Sequence, residues 1–115
     1  MYIAMLGTID NWKIQIRKGY LELCILLLIK QKKKLYGFDL IEQLAAAGLD
    51  VKEGTLYPLL NRMGADGVLA ATWETDGPKG HPRKFYSLTK DGFKFLSLLS
   101  HEFDEMVSIY KKLDQ

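Results

Sequence analysis

Hydrophobic positions recur along this chain first with a helical period, then briefly with a strand period, then with a helical one again. Over residues 11–31, Ile16, Tyr20, Leu23, Cys24, Leu27 and Leu28 return at spacings of three and four, which predicts one long helix capped by Asp10 or Asn11. From Leu23 onward it is apolar nearly all round, so it must be buried on several sides. Gly19 costs about 1 kcal/mol relative to Ala inside a helix, so a bend or a split is allowed there. A second helix spans about 36–47, with Leu40, Ile41 and Leu44 as its stripe and Gly48 as a natural C′ residue. Leu49-Asp50-Val51-Lys52 makes a turn into a third helix, which runs to about residue 66.

The third helix has two distinct faces. Leu56, Leu59, Leu60 and Met63 form its apolar stripe, while Tyr57 and Asn61, four residues apart, share another face with Arg62 beside it. Thr55 as N-cap would put Pro58 in the first turn, give or take two residues, where a missing amide does no harm. After Gly67 the period falls to two. Leu69, Ala71 and Trp73 alternate with Ala70, Thr72 and Glu74, as in a half-buried strand. Asp76-Gly77-Pro78-Lys79-Gly80-His81-Pro82 is rich in turn formers, and residues 83–88 read as the return strand. Thr89 then caps a last helix, with Asp91 in its first turn, that runs to about residue 113.

That last helix carries Phe93, Leu96, Leu99, Phe103, Met106, Tyr110 and Leu113, separated by 3, 3, 4, 3, 4 and 3 residues. The mean spacing is close to the 3.5 residues of a coiled-coil seam. So small a domain cannot bury the whole seam within one chain. The seam is expected to fold back partly on the first helix and to be covered for the rest by a second subunit. Trp12, Ile14 and Ile16 also exceed what the core needs, and are expected against another chain.

Composition changes this picture little. The chain has 115 residues, 48% hydrophobic and 26% charged, which is ordinary for one soluble domain. Its net charge is +2, too small to establish a polyanion partner, but residues 1–88 carry 12 basic and 9 acidic side chains against 4 and 5 in residues 89–115. The cluster Lys30, Lys32, Lys33 and Lys34 reads first as a solvated helix end that suits the helix dipole. Lys79, His81, Arg83 and Lys84 on the hairpin fit either an ordinary exposed loop or a wing that touches phosphates or the minor groove; beside a candidate recognition helix the wing is favoured.

The one cysteine, Cys24, sits in an apolar run and reads as an inert buried thiol. With two histidines, His81 and His101, it makes neither a metal set nor a nucleophile–base pair. The apolar run is far shorter than the roughly 18 residues a bilayer span needs. The first nine residues lack a basic n-region and a small-residue cleavage site, so a cytoplasmic protein is expected.

Gly54-Thr55-Leu56-Tyr57-Pro58-Leu59-Leu60-Asn61-Arg62-Met63, then Asp66-Gly67, then Pro82-Arg83-Lys84-Phe85-Tyr86-Ser87-Leu88-Thr89 with Gly92, resembles the PadR family of bacterial transcriptional regulators. Tyr36-Gly37-Phe38-Asp39-Leu40 matches that family's second helix, and the resemblance covers about residues 18–113. Two positions depart from it: Gly64 stands where an acidic residue is usual, and His81 where arginine is common, which lowers the hairpin's charge at neutral pH.

The fold expected is mainly α with a small β-hairpin: a winged helix-turn-helix over residues 1–88, whose first 18 residues also join a dimer interface, and a dimerisation helix over 89–115. The resemblance implies a repressor of the short subgroup whose affinity for operator DNA falls on binding a ligand or on another signal. The uncovered seam together with the helix-turn-helix reading predicts a homodimer on a pseudo-palindromic double-stranded DNA site. Thr55, Tyr57, Pro58, Asn61, Arg62, Lys79, His81, Arg83 and Lys84 are the expected DNA-binding residues. Trp12, Ile16 and the seam residues from Phe93 to Leu113 are the expected dimer surface.

Phe103 either fills the dimer core near its symmetry mate or, with Trp12 and Ile16 of the partner, walls a pocket for a small planar aromatic effector. No cofactor, metal or membrane is expected. An enzyme is disfavoured, since no glycine-rich phosphate loop or nucleophile–base pair is present. A winged-helix protein-interaction module without DNA binding is the alternative.

Overall fold

Leu21, Leu23, Ile25, Leu26 and Ile29 spread over more than half the circumference of one helix and are all buried, so that helix has to be surrounded. It is α1 (Tyr2–Lys32) of the computed structural model, which describes residues 2–75 and 80–115. Around it stand β1 (Leu35–Tyr36), α2 (Gly37–Ala46), α3 (Glu53–Ala65), β2 (Leu69–Glu74), β3 (Arg83–Leu88) and α4 (Lys90–Leu113). α2, β3 and α4 pack directly on α1.

The start of α1 differs from expectation. The helix begins at Tyr2 and passes through Asp10, Asn11 and Gly19 without interruption. Asp and Asn mark a helix start only where the preceding backbone leaves the helix, and nothing before them here compels it to. Met5, Ile9, Trp12, Ile16 and Tyr20 carry the stripe back at spacings of four, three, four and four. Lys33, with φ of 73°, turns the chain out of the helix end.

The two short helices end in the same way. After α2, Gly48 takes φ of 101°, its N–H donates to Ala45 O, and the Leu49 N–H donates to Leu44 O at 2.8 Å. After α3, Gly67 takes φ of 80°, its N–H donates to Gly64 O, and the Val68 N–H reaches Met63 O at 3.1 Å. Both are Schellman closures, which place the next apolar residue against the helix just left. Lys52, not Thr55, is the N-cap of α3, and it offers no side-chain bond. Glu53 therefore opens the first turn beside the positive helix end, and Pro58 falls in the second turn, where it forgoes the bond to Gly54 O.

The sheet has three strands in the order β1-β3-β2, one more than the hairpin expected. β2 and β3 pair antiparallel from Leu69↔Leu88 to Glu74↔Arg83, and β1 adds Leu35↔Tyr86 and Tyr36↔Phe85. On the face towards α3, Leu69 and Tyr86 are buried, but Ala71 and Trp73 are exposed. The expected half-buried β2 is buried only at its first residue, because the strand runs on past the helix that covers it. Thr89 joins the pieces: its Oγ1 accepts from Gly92 N–H at 2.9 Å, capping α4, and donates to Gly67 O at 2.6 Å.

The core is contributed by α1, α2, α3, the sheet and the first turns of α4, with Leu40, Leu44, Leu56, Leu60 and Met63 fully buried. Beyond it the long helices project. The radius of gyration is 16.7 Å, against about 13 Å for a compact chain of this length. Among the described residues no helix is long and apolar enough to cross a membrane.

Gly92 sits against the Val68 carbonyl so closely that a Cβ would overlap it, whereas a Cβ on Gly64 meets nothing within 4 Å. Gly92→Ala is expected to destabilise the fold by about 1–3 kcal/mol. Gly64→Ala is expected to stabilise it by about 0.5–1 kcal/mol. Urea unfolding followed by circular dichroism checks both; equal stabilities would show that α4 does not start against Val68.

Candidate functional site

Tyr57 stands on the second turn of α3, and its place is set by a residue that has no side chain. A Cβ on Gly37, the first residue of α2, would lie 2.5 Å from the Tyr57 ring and 2.6 Å from its hydroxyl. Glycine at that point lets the ring rest across the start of α2, leaving Tyr57 39% exposed. Burial of the ring, and then the nearby Glu53 carboxylate, raise the phenol above its ordinary value, so the hydroxyl stays protonated and able to donate.

Asn61 follows one turn later on the same face. Opposite stand Lys84 and Trp73, directly paired across β2 and β3, so their side chains leave the same side of the sheet. Between α3, the start of α2 and the hairpin lies a cleft of about 470 Å³, lined by Tyr36, Gly37, Phe38, Tyr57, Asn61, Trp73, Arg83, Lys84 and Tyr86. None of these residues is acidic.

Aromatic rings carry the cations around the cleft. Lys84 Nζ lies 5.5 Å from the centre of the Tyr86 ring, and the Arg83 guanidinium 4.9 Å from that of Tyr36. Tyr36 meets Phe85 edge-on at 5.5 Å. Lys34 stands 5.2 Å over Phe85 and reaches Glu74 Oε1 at 2.6 Å, tying the chain before β1 to the far strand of the sheet. The Lys34 ammonium holds the Glu74 carboxyl below its ordinary value by hydrogen bond and by charge.

Tyr57, Asn61, Arg83 and Lys84 are thus brought together on one cleft. Thr55 and Pro58 are exposed on α3 without lining it, and His81 is exposed on the approach to β3. Lys79 lies outside the described residues. Arg62 turns the other way: its Nη2 reaches Glu22 Oε2 on α1 at 3.1 Å, joining α3 to the long helix. Tyr36, Gly37, Phe38, Trp73 and Tyr86 also line the cleft and lie outside the expected site residues. The sequence signals for them are indirect: Tyr36, Gly37, Phe38 and Tyr86 stand in matched motifs, and the strand alternation of Trp73 does not say which residues of its face reach past α3.

A second concave surface runs between α1 and α4, about 480 Å³ and mostly apolar, with Ile16, Tyr20, Leu23, Leu99, Phe103 and Met106 among its walls. Phe103 stacks on Tyr20 of its own chain, ring centres 5.6 Å apart. Of the seam residues, Leu96 is buried in this chain and Leu99 half-buried, while Phe93, Phe103, Met106, Tyr110 and Leu113 stay exposed. Trp12 and Ile16 are exposed as well, and Trp12 does not line this groove. Cys24 is half-buried beside Tyr20, and burial pushes its thiol up, away from reactivity.

Two short helices joined by a tight turn, with a hairpin beside the second, define a winged helix-turn-helix. The chain belongs to the transcriptional regulator PadR-like family, whose sequence profile matches residues 25–98. PadR-like proteins are transcriptional regulators, not enzymes. A PadR-like transcription factor from Bacteroides fragilis is 43% identical, with 90% of this chain and 99% of that one covered and a TM-score of 0.74. A PadR-like transcriptional regulator from Bacillus cereus is 33% identical over 88% of this chain and 97% of that one, at 0.78. A PadR family regulator from Eggerthella lenta is 28% identical over 95% and 90%, at 0.79.

The Lys34–Glu74 pair has a pH signature. A carboxyl whose native pKa is lowered stabilises the fold above its unfolded pKa, and that contribution is lost as pH falls through the native value. Glu74 is expected to titrate below the ordinary carboxylate range in the native chain and to return to it in Lys34→Ala, as followed by carboxyl NMR. Identical titration of Glu74 in both proteins would show that the pair does not form in solution.

Proposed function

We propose that this chain is a homodimeric, sequence-specific DNA-binding repressor whose affinity for its operator falls when a signal is received. The observation that carries this is the cleft: the polar face of α3 and the cations of the hairpin converge on it, and none of its described lining residues is acidic. A helix bearing Tyr57 and Asn61 fits a major groove. Lys84, Arg83, Lys79 and His81 suit the adjacent backbone, and Thr55, Pro58 and Arg62 flank the helix face.

Residues 1–88 form the DNA-binding unit, with residues 1–18 also serving the dimer, and α4 is the dimerisation helix. Trp12, Ile16, Phe93, Phe103, Met106, Tyr110 and Leu113 are exposed apolar residues on α1 and α4 that a partner subunit would cover. Two copies related by a two-fold axis would present their α3 helices to half-sites about 34–36 Å apart. The groove at Phe103 suits a small, planar aromatic effector. By favouring one arrangement of the subunits it would alter half-site spacing, and a tenfold loss of affinity needs a coupling of only about 1.4 kcal/mol.

The test is salt-titrated binding to duplex DNA from upstream of the protein's own gene. Lys84→Ala is expected to weaken binding to all sequences alike and to lower the salt slope by about 1. Asn61→Ala is expected to relax preference at one base position by about 1–3 kcal/mol. Planar aromatic compounds are expected to release the operator from the unmodified chain and not from Phe103→Ala. Absence of salt-dependent binding to any duplex would point instead to a winged-helix protein-interaction module.

A further inference from the structure

Among the described residues, eighteen large hydrophobic side chains are exposed. Fifteen lie on α1 and α4, and seven of these are residues that the proposed dimer would cover. The other three are Phe38, Tyr57 and Trp73, and all three line the cleft between α3 and the hairpin. Trp73 is the most exposed of them, at 68%. An indole left in water at the mouth of a cationic cleft marks a surface that something covers.

We propose that Trp73 is a further DNA-contacting residue, its indole packed on the deoxyribose–phosphate backbone beside the groove that α3 enters. This rests on the DNA-binding function proposed above and extends it to a residue with no charge and no place in the helix-turn-helix.

The placement follows from the register. Trp73 lies directly opposite Lys84, and their side chains leave the sheet on the side that faces Tyr57 and Asn61. A strand of DNA whose phosphate meets the Lys84 ammonium therefore brings its sugars over the indole. The chemistry matches part for part: the apolar ring face covers the apolar edge of a deoxyribose, and the indole N–H donates to a phosphate oxygen. Charge complementarity favours DNA over a second copy of this chain, because the cleft has cations at its rim and no acid in its lining. The chain's own large apolar surface, the one a second copy would seek, lies on α1 and α4.

A sugar contact carries no base information, and a neutral side chain displaces no counterion. Trp73 should therefore behave unlike both Asn61 and Lys84. Trp73→Ala is expected to weaken binding about tenfold on every sequence, the effect of about 1.4 kcal/mol, while leaving the salt slope unchanged. Trp73→Phe, which keeps a ring but loses the N–H, should fall between the two. Since the side chain is exposed, both variants should fold as the parent does, which circular dichroism checks.

The deciding experiment takes the difference in indole emission between the unmodified chain and Trp73→Phe, which isolates Trp73 from Trp12, the other of the chain's two indoles. That difference is followed as an end-labelled duplex is added, with DNA anisotropy reporting binding independently. Quenching and a blue shift of Trp73 in step with the anisotropy support the contact. Binding by anisotropy with unchanged Trp73 emission, and Trp73→Ala within twofold of the parent, would overturn it while leaving the DNA-binding function standing. An emission shift that follows protein concentration without DNA would assign the surface to a second copy and also overturn it. If no duplex moves the anisotropy of the unmodified chain, the function and this contact fall together.

Discussion

A helix of 31 residues and one of 24 share a core that reaches only part of either. At 1.5 Å per residue, α1 is roughly 46 Å long, yet from Met5 onward its buried residues all lie between Leu21 and Ile29. The stretch before them shows Met5, Leu6, Ile9, Trp12, Ile14 and Ile16 to solvent, and α4 shows Met106, Ile109, Tyr110 and Leu113. Helices gain most of their stability by packing one face, and an uncovered helix of about 15 residues is marginal in water. A partner for this surface is the condition under which the rest of the architecture makes sense, and the proposed homodimer meets it with the protein's own chemistry.

That condition bears on the cleft, because the two surfaces share α1. Glu22 holds Arg62 of α3 at the point where α1 passes from exposed to buried. A pair this accessible adds little to stability, at most about 1 kcal/mol, but it fixes one side of α3 relative to the long helix. On the other side Tyr57 rests on Gly37, and the sheet is laced by Lys34, Phe85 and Glu74. α3 thus packs on α2 and is tied to α1 through Arg62 and Glu22, so under the proposed function a change in how two α1 helices meet would be felt at both α3 helices. Under the proposed function, that is the lever an effector in the groove at Phe103 would pull.

Much of this was legible because period and turn chemistry agreed. The stripes of α2 and α3, Gly48 as a closure, the return strand and the Thr89 cap each stand where the spacing put them. What escaped did so for physical reasons. The start of α1 was hidden by Asp10 and Asn11, good caps that sit as easily inside a helix. β1 is two residues long and exists only through its pairing with Tyr86 and Phe85, a long-range contact that no local pattern announces. Thr55 offered a better cap than Lys52, but the helix starts where the preceding turn leaves it. Trp73 alternated correctly with its strand neighbours; the missing fact was how far α3 extends over the sheet. Arg62 shares a helix with Tyr57 and Asn61, but its guanidinium reaches Glu22 of α1, a long-range pair that no local pattern announces.

Under the proposed function a second copy covers the exposed faces of α1 and α4 and sets two α3 helices on one duplex. Sedimentation equilibrium at micromolar concentration tests it most directly, with the chain alone and then with a duplex carrying its operator. A species of twice the 13.1 kDa chain mass is expected without DNA, and two chains on each duplex with it. A 13.1 kDa monomer that binds the duplex one to one with full affinity would contradict it.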